Sequence, residues 1–383
     1  MANQRNPVTG SAGINIFRIA GIRISLDFSW FIIFFLLLWS LSSGYFPRIF
    51  PHQPARTYWL AGLLATLLFF ASVLIHELSH SLVAIRLGIK IPSITLFIFG
   101  GVSQMAGEAP DPKTELKVAI AGPASSFVLA LIFLALRNFT AAFATPIFFA
   151  VFNYLMYINL ALGIFNLIPG FPLDGGRVLR AIWWWRKGSI SRATKVASDV
   201  GKGFAIFLII LGGIQIMGGA LISGLWFIFI GIFLRSVAAG SYQELELRHA
   251  LQGAKVRDIM VESVIKVSPS THVDRLIKDY FLHYGFKGFP VASDGAPVGI
   301  VSLAGIRQVP ENEQSVRTAS EIMEAVSHEM TVAPDTSLAE AFRKLKAVPS
   351  ERLLVLENGR LAGIVTKTGL LRFLEMKKIL NHE

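Results

Sequence analysis

The first two thirds of the chain alternate long apolar runs with short polar stretches. A helix needs roughly 17–25 apolar residues to cross a bilayer. Six candidates fall at about 26–46, 58–86, 116–136, 147–169, 203–218 and 221–239, the last two parted by Gly218-Gly219. A further apolar piece, IPSITLFIFGGVSQM at 91–105, is too short to span. It is rich in β-branched and aromatic residues and is broken by Gly100-Gly101, so the pattern predicts a re-entrant or interfacial β-hairpin, shielded by protein or water. Residues 1–24 are polar and glycine-dotted, and the run after them is too long for a signal-peptide core and has no small-residue cleavage site, so no signal peptide is expected.

After about residue 245 the long apolar runs stop and charged residues become frequent, which predicts a soluble domain of usual size. It contains a repeat. DIM at 258–260 recurs as EIM at 321–323, KVSPSTHVDRLIKDYF as TVAPDTSLAEAFRKLK, and GIVSLAGI at 299–306 as GIVTKTGL at 363–370. Each copy reads as strand, helix, strand, strand, helix, with turns at Asp294-Gly295 and Asn358-Gly359. The copies resemble a pair of cystathionine-β-synthase-type (CBS) domains over about 252–376. The resemblance implies a tandem module that often binds adenosine nucleotides and can pair two chains as a homodimer. Ser302 and Thr366 stand where that family's nucleotide signature has its hydroxyl, but Gly305 and Gly369 stand where it has the ribose-binding acid. A nucleotide and a purely structural platform both stay open. The domain boundaries expected are 1–244 for the membrane domain, 251–310 for the first CBS motif and 316–376 for the second.

Composition agrees with this division. Hydrophobic residues make up 53% of the chain and charged residues 16%, against about 25% in soluble domains. There is no cysteine, which excludes disulfides and thiolate metal sites. The net charge of +11 is unevenly spread. Arg177, Arg180, Arg186, Lys187, Arg192, Lys195 and Lys202 lie between the fourth and fifth runs, Arg137 alone between the third and fourth, and no Lys or Arg between the fifth and sixth. The bias of basic residues toward the cytosol puts the four-to-five segment there, with both termini and the soluble pair. Trp183, Trp184 and Trp185 beside Arg186 and Lys187 read as an interfacial belt. No basic and aromatic recognition module points to nucleic acid.

Candidate chemistry lies inside the second run, FFASVLIHELSHSLVAI at 69–85. Of the eight histidines, only His76 and His80 lie in an apolar run. An ionised residue at bilayer depth costs about 2.5–3.5 kcal/mol on insertion scales. On a helix, positions i and i+4 share a face, so His76 and His80 can offer two imidazoles to one metal ion, with Glu77 about 100° away as a base for water. A polar cluster satisfied between helices is the alternative. A catalytic zinc takes three protein ligands and keeps a fourth position open. Asp174 is the only acid between Glu115 and Asp199, in a stretch loosened by Pro169, Gly170, Pro172, Gly175 and Gly176. It is either the third ligand or an ordinary helix cap. With a cytosolic N-terminus, HELSH and Asp174 come out at the same, inner depth.

HELSH in one run and FNLIPGFPLDGG in a later one resemble the site-2 protease family of intramembrane zinc metalloproteases, in the subgroup with a C-terminal CBS pair. The resemblance implies an α-helical polytopic membrane domain of about six transmembrane helices with a re-entrant β-hairpin, then a soluble α/β CBS pair. It implies one zinc per chain held by His76, His80 and Asp174, with Glu77 as general base. Asn166 would help hold the substrate carbonyl, and Gly100 and Gly101 belong to the element expected to hold substrate extended. The implied substrate is a membrane-spanning protein segment, cleaved near the cytosolic side. Ser126 stands where the family often has asparagine, and no role is carried to it. Two rival readings are a CBS-bearing ion transporter and a catalytically silent zinc protein. The transporter needs acids along a pathway, and the silent protein has no use for Glu77.

Overall fold

The structure is a computed structural model describing residues 13–380 apart from 99, 105–107, 143–145 and 349. Phe99 and Met105 of the expected hairpin, residues 1–12 and His382 lie outside the described residues. The described residues form two compact units, Met1–Leu245 and Glu246–Glu383.

Six helices of the first unit are long and apolar enough to cross a membrane. The first, Phe28–Ile49, starts as α1 (Phe28–Ser40), whose N-cap Asp27 accepts from Ser29 N at 2.9 Å. α2 (Ala55–Arg86) carries HELSH, α3 is Pro112–Ala142 and α4 is Pro146–Asn166. The start of α3 follows from its sequence: Asp111 accepts from Lys113 N and Thr114 N, and Pro112 stands in the first turn, where its missing donor costs nothing. α5 is Asp174–Lys187, α6 Ile190–Met217 and α7 Leu221–Leu251.

Two features depart from the sequence reading. The basic stretch between the fourth and fifth runs is mostly helix: α5 holds Arg177 to Lys187, and α6 starts at Ile190 rather than near 203. Gly188 at φ 71° ends α5, and Ser189 caps α6. Gly175 and Gly176 do not loosen the chain; they form the first turn of α5. A Cβ at Gly175 would overlap the carbonyls of Leu167 and Ile168, and one at Gly176 the backbone of Gly170 and Phe171. These glycines let the loop 167–173 fold back against its own helix.

The expected hairpin is present and belongs to a larger sheet. β1 (Ile14–Ile19), β2 (Ile22–Leu26), β3 (Ser93–Phe97) and β4 (Gly100–Gln104) pair in that order. β2 and β3 run parallel, Arg23 opposite Ser93 through Leu26 opposite Leu96. Alternate residues Ile22, Ile24 and Leu26 turn inward with Ile94 and Leu96 and pack with Val73 and Ala84 of α2. The sheet thereby holds β4, the edge strand opposite β1, against the HELSH helix.

In the second unit each copy supplies an antiparallel pair: β5 (Gly288–Ser293) with β6 (Ala296–Ser302), and β9 (Arg352–Glu357) with β10 (Arg360–Thr366). Their turns use positive φ at Asp294 and Gly295 and at Asn358 and Gly359, as two-residue hairpins of this twist require. The segment leading into each copy packs on the other. β7 (Glu324–Ala325) extends β6, while Val261 bridges to Ile364 of β10. β8 (Thr331–Val332) runs parallel to β9.

Candidate active site

His76 and His80 lie one turn apart on α2 and are buried at 4% and 5% exposure. The Asp174 side chain, first in α5, reaches both: its Oδ2 is 3.1 Å from each Nε2, and the two Nε2 atoms are 3.3 Å apart. Among the described residues this is the one group of three side chains able to hold a metal ion. The other ring nitrogen of each histidine is tied to α3. His80 Nδ1 is 2.6 Å from Val118 O, and His76 Nδ1 is 2.9 Å from Ser126 Oγ.

The Val118 contact decides what His80 can do. A carbonyl only accepts, so Nδ1 of His80 carries a proton, and in the neutral ring Nε2 then presents a bare lone pair. That lone pair faces a carboxylate oxygen at 3.1 Å. Two acceptors at that distance are joined either by a metal ion or by a proton on Nε2, and the third donor at the same point, His76 Nε2, suits the metal ion. Zinc bound at about 2.0–2.1 Å to tetrahedral ligands has ligand–ligand edges of about 3.3 Å, which the separations of 3.1, 3.1 and 3.3 Å approach. Gly122 of α3 faces the same point: a Cβ there would lie 2.6 Å from His76 Nε2 and nearer still to His80 Nε2. The donor set, its spacing and the space kept by Gly122 fit a zinc ion.

Glu77 is half-buried and points to β4. Ser103 Oγ donates to Glu77 Oε2 at 3.0 Å, which leaves Ser81 as donor to Ser103 at 3.2 Å. Gly101 lies against Glu77, since a Cβ there would meet its side chain. Gly100 opens β4 at φ 130° opposite Phe97. Asn166 closes α4, half-buried. Trp183 and Trp185 are exposed on α5. In the second unit, Ser302 and Thr366 accept from the backbone N–H of Gly305 and Gly369, so both hydroxyls serve as helix caps.

The sequence reading assigned no role to Ser126, Ser103, Ser81, Gly122 or Val118. The spacing of 115, 118, 122 and 126 on α3 is that of one helical face, and three of those four positions carry a polar or very small side chain. That periodicity inside an apolar span was the available signal.

Comparison with known proteins gives a family. Residues 64–145 and 137–210 match peptidase family M50, and residues 256–312 and 319–376 each match the CBS domain. The chain is 35% identical to Rip3 of Mycobacterium tuberculosis over 369 residues, 96% of this chain and 94% of that one. It is 32% identical over 368 residues to a Methanocaldococcus jannaschii protein named zinc metalloprotease MJ0392, covering 95% of this chain and 98% of that one. Among solved structures, the site-2 protease from the same archaeon is 30% identical, with 60% of this chain and 95% of that chain covered at a TM-score of 0.42.

Proposed function

Since this chain belongs to peptidase family M50 and carries a CBS pair, we propose that it is an intramembrane zinc metalloprotease that cleaves transmembrane segments of other proteins. The observation that carries the proposal is the convergence of His76 Nε2, His80 Nε2 and Asp174 Oδ2 on one point, 3.1, 3.1 and 3.3 Å from one another, the spacing of ligands around a single zinc ion.

In this reading His76, His80 and Asp174 hold one zinc ion, and α3 fixes the orientation of both rings through Ser126 and Val118. When bound, zinc supplies Lewis acidity, bringing the pKa of a bound water to about 7 and polarising the scissile carbonyl. Glu77 accepts the proton of the attacking water and returns it to the leaving nitrogen. Ser103 and Ser81 hold the Glu77 carboxylate in place through their hydrogen-bonded chain. Asn166 donates to the substrate carbonyl from the end of α4.

A substrate helix hides its scissile bond in its own ladder, so it must unwind. β4 offers it a strand to pair with. Among the described residues β4 is an edge strand, and this edge and the contact of Gly101 with Glu77 support this role, because a strand added there passes the base. The CBS pair acts as a cytosolic regulatory or dimerisation platform. It is assigned no adenosine nucleotide: Gly305 and Gly369 provide no carboxylate for a ribose, and the Ser302 and Thr366 hydroxyls already cap helices. The active site and both termini face the cytosol, as the basic residues of α5 and α6 support.

The test is cleavage of single-span peptides in detergent or liposomes by the full chain, compared with Glu77→Gln. Cleavage that Glu77→Gln abolishes at undiminished zinc content is the expected outcome. Equal activity at full zinc occupancy would remove the protease reading. Ion flux across liposomes that survives loss of His76 would favour the transporter.

A further inference from the structure

A second buried ionic cluster lies next to the metal-capable one, and the proposed chemistry does not use it. Glu115 of α3 is 1% exposed. Its Oε1 accepts from Arg177 Nε at 3.0 Å and from Arg180 Nη2 at 2.5 Å. Both arginine side chains are themselves largely buried, at 18% and 16% exposure. Arginine presents a rigid fork of donors, which makes it suited to fixing a carboxylate in one geometry.

The position of this cluster in the fold gives it a purpose. Asp174 is the first residue of α5, and Arg177 follows it by three residues, just under one turn. The Arg180 guanidinium also lies over the Phe171 ring, 5.2 Å from its centroid. The cluster therefore holds α5 and the loop that enters it, on both sides of Asp174. Glu115 in turn shares a face of α3 with Val118, Gly122 and Ser126, the three residues that orient or make room for the histidines. One helix face thus sets the histidines at three points and α5 at a fourth.

We propose that Glu115, Arg177 and Arg180 are positioning residues that hold Asp174 in register with His76 and His80. The proposal rests on the zinc reading above. Metal ligands tolerate errors of only about 0.2 Å in their distances. A helix end whose side chain reaches the site from a separate element needs a separate fixture, whereas His76 and His80 are set by one helix. Loss of the cluster then frees one ligand of three.

The experiment uses the full-length protein in detergent. Zinc affinity is measured by chelator competition, and the site geometry is read from the visible absorption of the cobalt(II)-substituted protein. Wild type is compared with Glu115→Gln, with Arg177→Lys, and with a triple variant in which Glu115, Arg177 and Arg180 are all replaced by Met. The triple variant removes the charges together, so no buried charge is left alone and folding is preserved. Zinc affinity is expected to fall roughly 10- to 100-fold in Glu115→Gln and in the triple variant, the loss typical of a residue that orients a ligand. The cobalt spectrum shifts in both, and kcat falls more than KM rises. Arg177→Lys, which keeps the charge without the fork, gives a smaller loss of affinity. Wild-type affinity and an unaltered cobalt spectrum in the folded triple variant would overturn the proposal while leaving the protease reading intact. Failure of the wild type itself to bind zinc would overturn both.

Discussion

Gly122→Ala adds one methyl group to α3 and replaces no ligand, yet it should disable the site. The added Cβ would lie 2.6 Å from His76 Nε2 and 2.6 Å from His80 Cε1, where ordinary contact begins at 3.4 Å. The His76 ring must withdraw by about 0.8 Å and the His80 ring, whose Nε2 lies nearer still, by more, several times the roughly 0.2 Å that metal-ligand distances tolerate. Neither ring can do so freely, since Nδ1 of His80 is held by Val118 O and that of His76 by Ser126. Losing a residue that merely orients a ligand costs about 10- to 100-fold in affinity. Displacing the ligands should exceed that range, so the zinc Kd should rise by at least about 100-fold, or about 2.7 kcal/mol. Folding should survive, because alanine is favoured over glycine in a helix by about 1 kcal/mol. The assay is zinc content by mass spectrometry after chelator competition, with the melting temperature of the stripped protein as a control. A Gly122→Ala variant that keeps one zinc per chain at wild-type affinity would refute the assignment of His76, His80 and Asp174 as a metal site.

Three further outcomes follow from other parts of the molecule. Ser126→Ala leaves His76 Nδ1 without its 2.9 Å partner and should weaken zinc binding by about 10-fold or more, read by the same competition assay. Gly299→Ala should destabilise the CBS pair by about 1–3 kcal/mol, because its Cβ would sit 2.6 Å from Met323 Sδ and 2.8 Å from Glu324 O. Gly363→Ala at the matching place meets its neighbours at 3.1 Å or more and should cost less; hydrogen exchange of 288–302 and 352–366 compares the two. The Asp335 carboxyl is held below its ordinary value by its hydrogen bond to Lys255 and by nearby Arg257. A carboxyl depressed in the folded state adds stability that is complete above about pH 4 and lost as the pH falls through the depressed value, so Asp335→Asn should lessen the acid sensitivity of the CBS pair, followed by hydrogen exchange in acid.

How far the sequence reveals the site depends on how local each relation is. His76, Glu77 and His80 fall within five residues on one helix, so their spacing alone places the rings on one face. Asp174 could be reached by elimination, since acids are so few in that half of the chain. Ser126 and Val118 could not, because a serine inside an apolar helix commonly bonds back to its own ladder, and a backbone carbonyl leaves no mark in sequence. The glycines of PLDGG were misread for a related reason. Glycine can loosen a helix or permit close approach, and only the carbonyls of Leu167 and Ile168 behind Gly175 tell which. The N-terminal strands were legible but unread: INIFRI and IRISL flank Ala20-Gly21, both at positive φ, which is a short hairpin signature. The parallel pairing of IRISL with β3, some 70 residues away, depends on tertiary packing alone.

The structure also bears on the rival transport reading. A permeation pathway needs acids or carbonyls spaced along the membrane to receive an ion more than once. Among the described residues, Glu115 is buried, and Glu77 and Asp174 are half-buried and close to it in the helical core, while Asp27 and Asp111 cap helix starts. The sequence reading counted only Glu77 and Asp174, since Glu115 stood just outside the third run. Glu115 is already engaged by two arginines, which repel a cation rather than pass it on. Asp174 converges with two histidines on a single point, and Glu77 turns aside to the serines of α2 and β4. Among the described residues the first unit therefore offers one group able to hold a cation, with a carboxylate beside it, and no succession of such groups. A lone site with a carboxylate next to it that is held by serines rather than by a cation suits activation of water at a fixed metal ion, and it gives a moving ion nowhere further to go.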